Sequence, residues 1–224
     1  MQGHFDIKML HTPGLTRELI EAVRREGGDP KVEKYIKQFQ QDAQWRGDNM
    51  VFQSHASYLY YHAMSATSQY YSLQYVLTAC SFYFVCLTSA STEPSYTSTT
   101  GNEHNYTTNI RPDNWPNLLG GTGGFKTFNQ TIVDREVKSD AAGREAIYAK
   151  YKWLFLPGEC TSDQIKSIEI VYTARIEDPY IGGGSGHGRV ARIRIKDSGG
   201  NPVTINKSAT KSLLIEYTHQ LVSI

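Results

Sequence analysis

The sequence predicts an α+β fold that is mainly β: an N-terminal helical hairpin over residues 1–50, then an antiparallel β-sandwich over residues 51–224. Three observations lead there. Before residue 50, apolar residues recur at helical spacing. After residue 125 they alternate with polar ones, which is the strand period. Turn signals punctuate that second half, as a sandwich or barrel requires. With 224 residues, of which 39% are hydrophobic, the chain has material for a packed core in one large domain, or in one medium domain with an attachment.

The first helix is expected to start at Thr12-Pro13, an N-cap followed by a proline at the first helical position. Leu15, Leu19, Ala22 and Val23 then share a face, and Gly27-Gly28 ends the run. Asp29-Pro30 repeats the start signal. Val32, Tyr35, Ile36, Phe39 and Ala43 form the second apolar stripe, closed by Arg46 to Asn49. Each helix has one apolar face, so the pair is too small to stand alone and reads as an anchor.

Phe52–Leu73 fits a helix or a strand equally. Tyr75–Thr88 reads as a core strand with Val76, Thr78, Cys80, Phe82, Phe84 and Cys86 on one face. Long loops are expected at 89–124 and 177–188, where Ser, Thr, Asn, Pro and Gly accumulate. Strands follow over Phe125–Val137, through Ala149, Tyr151, Trp153 and Phe155, through Ile168 to Ile176, and through Ala191, Ile193 and Ile195. Asp197 to Asn201 turns the chain into Val203–Ile205. Leu213, Ile215 and Tyr217 mark a last strand. A short helix after Ser139 is the one other helical signal; without crossover helices the strands must pair antiparallel.

Charge is unevenly spread. The formal net charge is +1, so bulk electrostatics gives no reason to expect a nucleic-acid or membrane-surface partner. Residues 51–125 carry only Arg111, Glu93, Glu103 and Asp113 as charged groups, yet hold nine of the 15 tyrosines. Charge depletion with aromatic enrichment is the composition of interface cores, and equally of a β segment with locally bonded hydroxyls. Met1–Asp6 has neither the basic nor the apolar region of a secretion signal. The acceptor patterns at Asn105, Asn129 and Asn206 are therefore read as chance matches.

Tests for chemistry find little. The glycine-rich segment 182–188 lacks the Gly-Lys-Ser/Thr ending of a phosphate loop and leads into a strand instead of a helix; the segment 120–124 fails likewise. Cys80, Cys86 and Cys160 have no metal-ligand spacing and read as buried thiols. His55 and His62 lie two helical turns apart, too far to share a metal unaided. No nucleophile elbow surrounds any serine. Asp134, Glu136, Glu177 and Asp178 are a possible carboxylate set for a polysaccharide hydrolase, but their separations are not legible. The reading is of a non-enzyme without cofactor or metal.

Two stretches carry a family resemblance. Ser81–Ser95, a hydrophobic strand running into a Thr/Ser/Pro loop, resembles an opening found in β domains of tailed-bacteriophage tail and fibre proteins. Gly188–Ile205 together with Leu213–Tyr217 is similar to the ending of such proteins. The resemblance implies a virion structural protein, synthesised in the host cytoplasm, whose partners are other copies of itself and neighbouring virion proteins. It implies no fixed catalytic set. Tyr35, Phe39, Tyr58, Tyr60, Tyr61 and Trp115 are the expected contact residues, with packing inside the same subunit as the competing reading for Tyr35 and Phe39. The alternative is a carbohydrate-binding sandwich, with Trp115 and Tyr106 stacking on a glycan.

Overall fold

The structure, a computed structural model, describes residues 2–11, 40–50, 82–93, 115, 117–126, 131–139, 145–174 and 186–223. Its regular elements are strands: β1 (Gln2–His11), β2 (Gln40–Met50), β3 (Phe82–Thr88), β4 (Phe125–Lys126), β5 (Thr131–Ser139), β6 (Glu145–Phe155), β7 (Ser162–Ile165), β8 (Ser167–Ala174), β9 (Gly186–Arg194), β10 (Ile205–Lys207) and β11 (Lys211–Ser223). A 3-10 turn, Gly121–Gly124, precedes β4.

Five strands form one antiparallel sheet in the order β2-β1-β11-β6-β5. Four form a second, β4-β3-β8-β9, also antiparallel. β10 and β7 make a small two-stranded ribbon. Apolar residues from both larger sheets meet in one core. Phe5, Ile7 and Met9 of β1, Tyr151, Trp153 and Phe155 of β6, and Leu213, Ile215 and Tyr217 of β11 come from the first sheet. Val85 and Leu87 of β3, Ile168 and Ile170 of β8, and Ala191 and Ile193 of β9 come from the second. Aromatic rings tie neighbouring strands together: Phe5 and Tyr217 have centroids 4.7 Å apart, and Tyr151 and Tyr217 6.4 Å. Such pairs add about 0.5–1.5 kcal/mol beyond the burial itself.

The expected N-terminal helical hairpin is overturned where the chain is described: both Gln2–His11 and Gln40–Met50 are strands, and no α-helix occurs among the described residues. The physical reason is plain in β1. Phe5, Ile7 and Met9 alternate with His4, Asp6 and Lys8, and that two-residue period puts one row in the core and the other outside. Ala43, assigned above to a helical stripe, instead shares the inner row of β2 with Trp45, packed against the core. The rest of the predicted helices, residues 12–39, and the short helix after Ser139 lie outside the described residues.

The remaining strands fall close to their sequence signals. Tyr151, Trp153, Phe155, Ile168, Ile170, Leu213, Ile215 and Tyr217 all point inward, as their alternation requires. In the turn at 197–201, Asp197 Oδ1 accepts hydrogen bonds from the Gly199 and Asn201 amides at 2.9 Å, and Gly200 adopts φ 82°. Two details differ. On β3 the inner row is Val85 and Leu87; Phe84 and Cys86 face the other side, against Trp115 and Val171. And β8 and β9 have no solvent-facing polar row over Ser167–Glu169 and Arg192–Arg194, because loop residues cover it.

Candidate functional site

Three polar constellations among the described residues are candidates for a site, and two of them are closed. The first covers the outer face of the four-stranded sheet. Glu169 is fully buried and faces Arg192, 5% exposed, at 3.9 Å. Trp115 sits over them, 5% exposed, and its Nε1 donates to Glu169 Oε2 at 2.7 Å. Arg192 Nη2 donates to the Thr92 carbonyl at 3.1 Å, and Ser167 Oγ to the Ala90 carbonyl at 2.6 Å. An ion pair taken from water costs free energy unless its remaining donors and acceptors are filled. Here Trp115 bonds one carboxylate oxygen and Thr92 accepts from one guanidinium nitrogen, and thereby the loop is held down.

The second lies where β4, β10 and the turn after β6 meet. Lys207 is fully buried, and its Nζ donates to the Leu156 and Glu159 carbonyls at 3.0 and 2.6 Å. Glu159 accepts from the Leu156 amide at 2.7 Å and pairs with Lys126 Nζ at 2.6 Å. Burial lowers the Lys207 amine to about 8 and raises the Cys160 thiol beside it to about 11. Cys160 takes φ 44°, and its thiol donates to the Leu119 carbonyl at 3.6 Å. An amine with a lowered pKa is a candidate nucleophile only if a reactant reaches it. This one is enclosed and aimed at two carbonyls, so it fastens a turn.

The third is open. On the outer face of the five-stranded sheet, His4, Asp6, Arg46, Lys150, Lys152, Glu216 and Thr218 line a groove of about 420 Å³. Strand register builds it: Arg46, Asp6, Glu216 and Lys152 stand directly opposite one another on four successive strands. Two carboxylates side by side would repel. Cations offset this. Lys8 pairs with Glu216 and lies 3.3 Å from Asp6; Lys152 is 3.4 Å from Glu216, and Arg46 3.6 Å from Asp6. Burial acts to lower the Lys8 pKa, but its bonds and charge contacts with Glu216 and Asp6 leave it raised. Gln44 Nε2 donates to Asp6 Oδ1 at 2.5 Å, and His4 Nδ1 meets Asp48 Oδ1 at 2.6 Å. The groove thus offers both signs of charge in rows, with no single-sign field.

Of the expected contact residues, Tyr35, Phe39, Tyr58, Tyr60 and Tyr61 lie outside the described residues. Trp115 is described, and its indole is turned into the molecule, against Cys86 and Val171. No group of three or more His, Cys, Asp or Glu is placed to hold a metal among the described residues. Sequence reading missed the groove because its charges come from four strands distant in sequence; the one available signal was the polar row His4, Asp6, Lys8. Compared with protein-family models, with curated proteins and with solved structures, the chain matches none.

Proposed function

We propose that this chain is a non-catalytic structural protein of a tailed-phage virion, acting in tail or neck assembly or in fibre attachment through protein–protein contacts. The observation that carries the reading is the open groove, whose central row across four strands sets two carboxylates, Asp6 and Glu216, between two cations, Arg46 and Lys152. Mixed rows of this kind complement another folded surface and set its register; a polyanion calls for one sign. The closed constellations agree with the reading, since their chemistry is spent on fastening loops to sheets. Its partners are other copies of itself and neighbouring virion proteins, and it reaches the virion after synthesis in the host cytoplasm.

The test is quantitative peptide mass spectrometry on density-banded particles from cells producing the protein. A fixed copy number per particle, retained through salt washing, is the expected result. Protein left wholly in the soluble fraction overturns the proposal.

A further inference from the structure

The edge of the five-stranded sheet carries information about a partner. Among the described residues β2 and β5 are the two edge strands of this sheet, and β2 is hydrogen-bonded to β1 on one side only. A strand edge is a row of amides and carbonyls ready to pair with another chain, and proteins blunt edges they do not use with bulges, prolines or inward charges. β2 is blunted at one end only. Its register shifts opposite Met9 and Leu10, so the bulge falls around Gln41–Ala43, while Ala43 to Met50 pairs regularly with Met9 to Gln2. On that regular stretch the inner row holds Trp45, an indole only partly buried against the core. The outer row holds Arg46 and Asp48, whose side chains are 65% and 90% exposed.

We propose that the regular part of β2 pairs with the same strand of a second copy, antiparallel, about a two-fold axis at Gly47. This deepens the assembly reading and rests on it. A two-fold perpendicular to the sheet keeps outer face with outer face. It therefore sets Arg46 of each copy opposite Asp48 of the other, giving two cross-strand ion pairs. Moving the axis one residue to either side loses them: centred on Arg46, the arginine meets itself; centred on Asp48, the aspartate does. Because the axis lies on a residue, positions of like parity meet. Outward-pointing backbone groups then face outward-pointing ones, whichever alternate residues carry them. Gly47 brings no side chain to the axis, and a Cβ there would lie 2.2 Å from Ile193 Cδ1 on β9. The two five-stranded sheets become one continuous sheet, and each Trp45 gains cover from the neighbouring strand. Such isologous contacts are the commonest closed form of self-association.

Sedimentation velocity over a wide concentration range reads the outcome, with circular dichroism and thermal midpoints showing that each variant remains folded. The wild type is expected to dimerise. Arg46→Glu and Asp48→Lys, each placing like charges opposite, are expected to weaken dimerisation by about tenfold or more. The double variant, with the charges exchanged, restores it. A wild type that stays monomeric overturns the proposal, as does a dimer indifferent to both single reversals or not rescued by the exchange. A monomer that still enters particles at fixed copy number overturns this pairing alone, whereas a β2 dimer absent from particles overturns the virion assignment alone.

Discussion

Trp115 and Glu169, 54 residues apart, meet through a 2.7 Å hydrogen bond from indole to carboxylate in a buried setting. The bond joins a loop to the middle of the four-stranded sheet. Trp115→Phe keeps the ring's apolar contacts and deletes the donor, and is expected to cost about 1.5–3 kcal/mol, the range for a bond to a charged group. Glu169→Ala leaves Arg192 without its carboxylate and is expected to cost more, about 3–5 kcal/mol. Urea unfolding of the two variants checks the order.

Two glycines separate backbone strain from steric contact. Gly200 has φ 82° and open space around the position of a Cβ, so Gly200→Ala is expected to cost only the left-handed backbone term, about 1–2 kcal/mol. Gly47 has no such strain, but a Cβ there meets Ile193 Cδ1 at 2.2 Å. Gly47→Ala is therefore expected to destabilise through that contact, and Ile193→Val, which removes the Cδ1 methyl, to recover part of the loss. A double-mutant cycle on thermal midpoints reads the coupling.

His219 is fully buried beside Tyr217, and burial pushes its pKa down to about 4 from 6.5. The unfolded chain then binds a proton between those values that the folded chain does not, so stability falls as pH drops from 6.5 toward 4. Denaturant titrations across that window are expected to show a slope smaller by up to about one proton in His219→Gln.

Lys207 has the same sign at the other end of the scale. Its amine titrates near 8 when folded and at the ordinary 10.5 when unfolded, because burial disfavours the charge. Its contribution to stability therefore rises with pH from about 8. Cys160 opposes it: the buried thiol holds its proton to about 11 against an ordinary 9.0, so its contribution falls from about 9 upward. Between pH 8 and 9 the lysine acts without that opposition, and Lys207→Met is expected to flatten the rise. Peptide-resolved alkylation at pH 8 is expected to find Cys160 slow to react until the protein is unfolded.

The strands that the sequence displayed were those with one strongly apolar row. Tyr151, Trp153 and Phe155 announce β6, and Leu213, Ile215 and Tyr217 announce β11, because pairing and burial demand the same two-residue period. β1 carries the same alternation in Phe5, Ile7 and Met9, which the helical reading of residues 1–50 passes over. β2 was not legible: Gln40 to Met50 holds few apolar residues, and Ala43 fits a helical stripe as well as a strand row, so its conformation comes from pairing with β1. The buried Glu169 and Arg192 read as surface residues, since their cover arrives from loops about 54 and 100 residues earlier in the chain. The groove was hidden for the same reason, its rows being assembled by register across distant strands.

The position of β11 has a consequence for how the chain comes off the ribosome. β11 lies between β1 and β6, and the Lys8–Glu216 contact spans 208 residues. Until β11 is made, β1 and β2 have no sheet to join, and the row Phe5, Ile7, Met9 has no settled cover. β1 and β2 are thus locked only after the 208-residue span from Lys8 to Glu216 has been made, and the nascent chain carries a sticky apolar ribbon over that span. Slow, late closure of this kind makes chaperone supply and growth temperature the controls on yield.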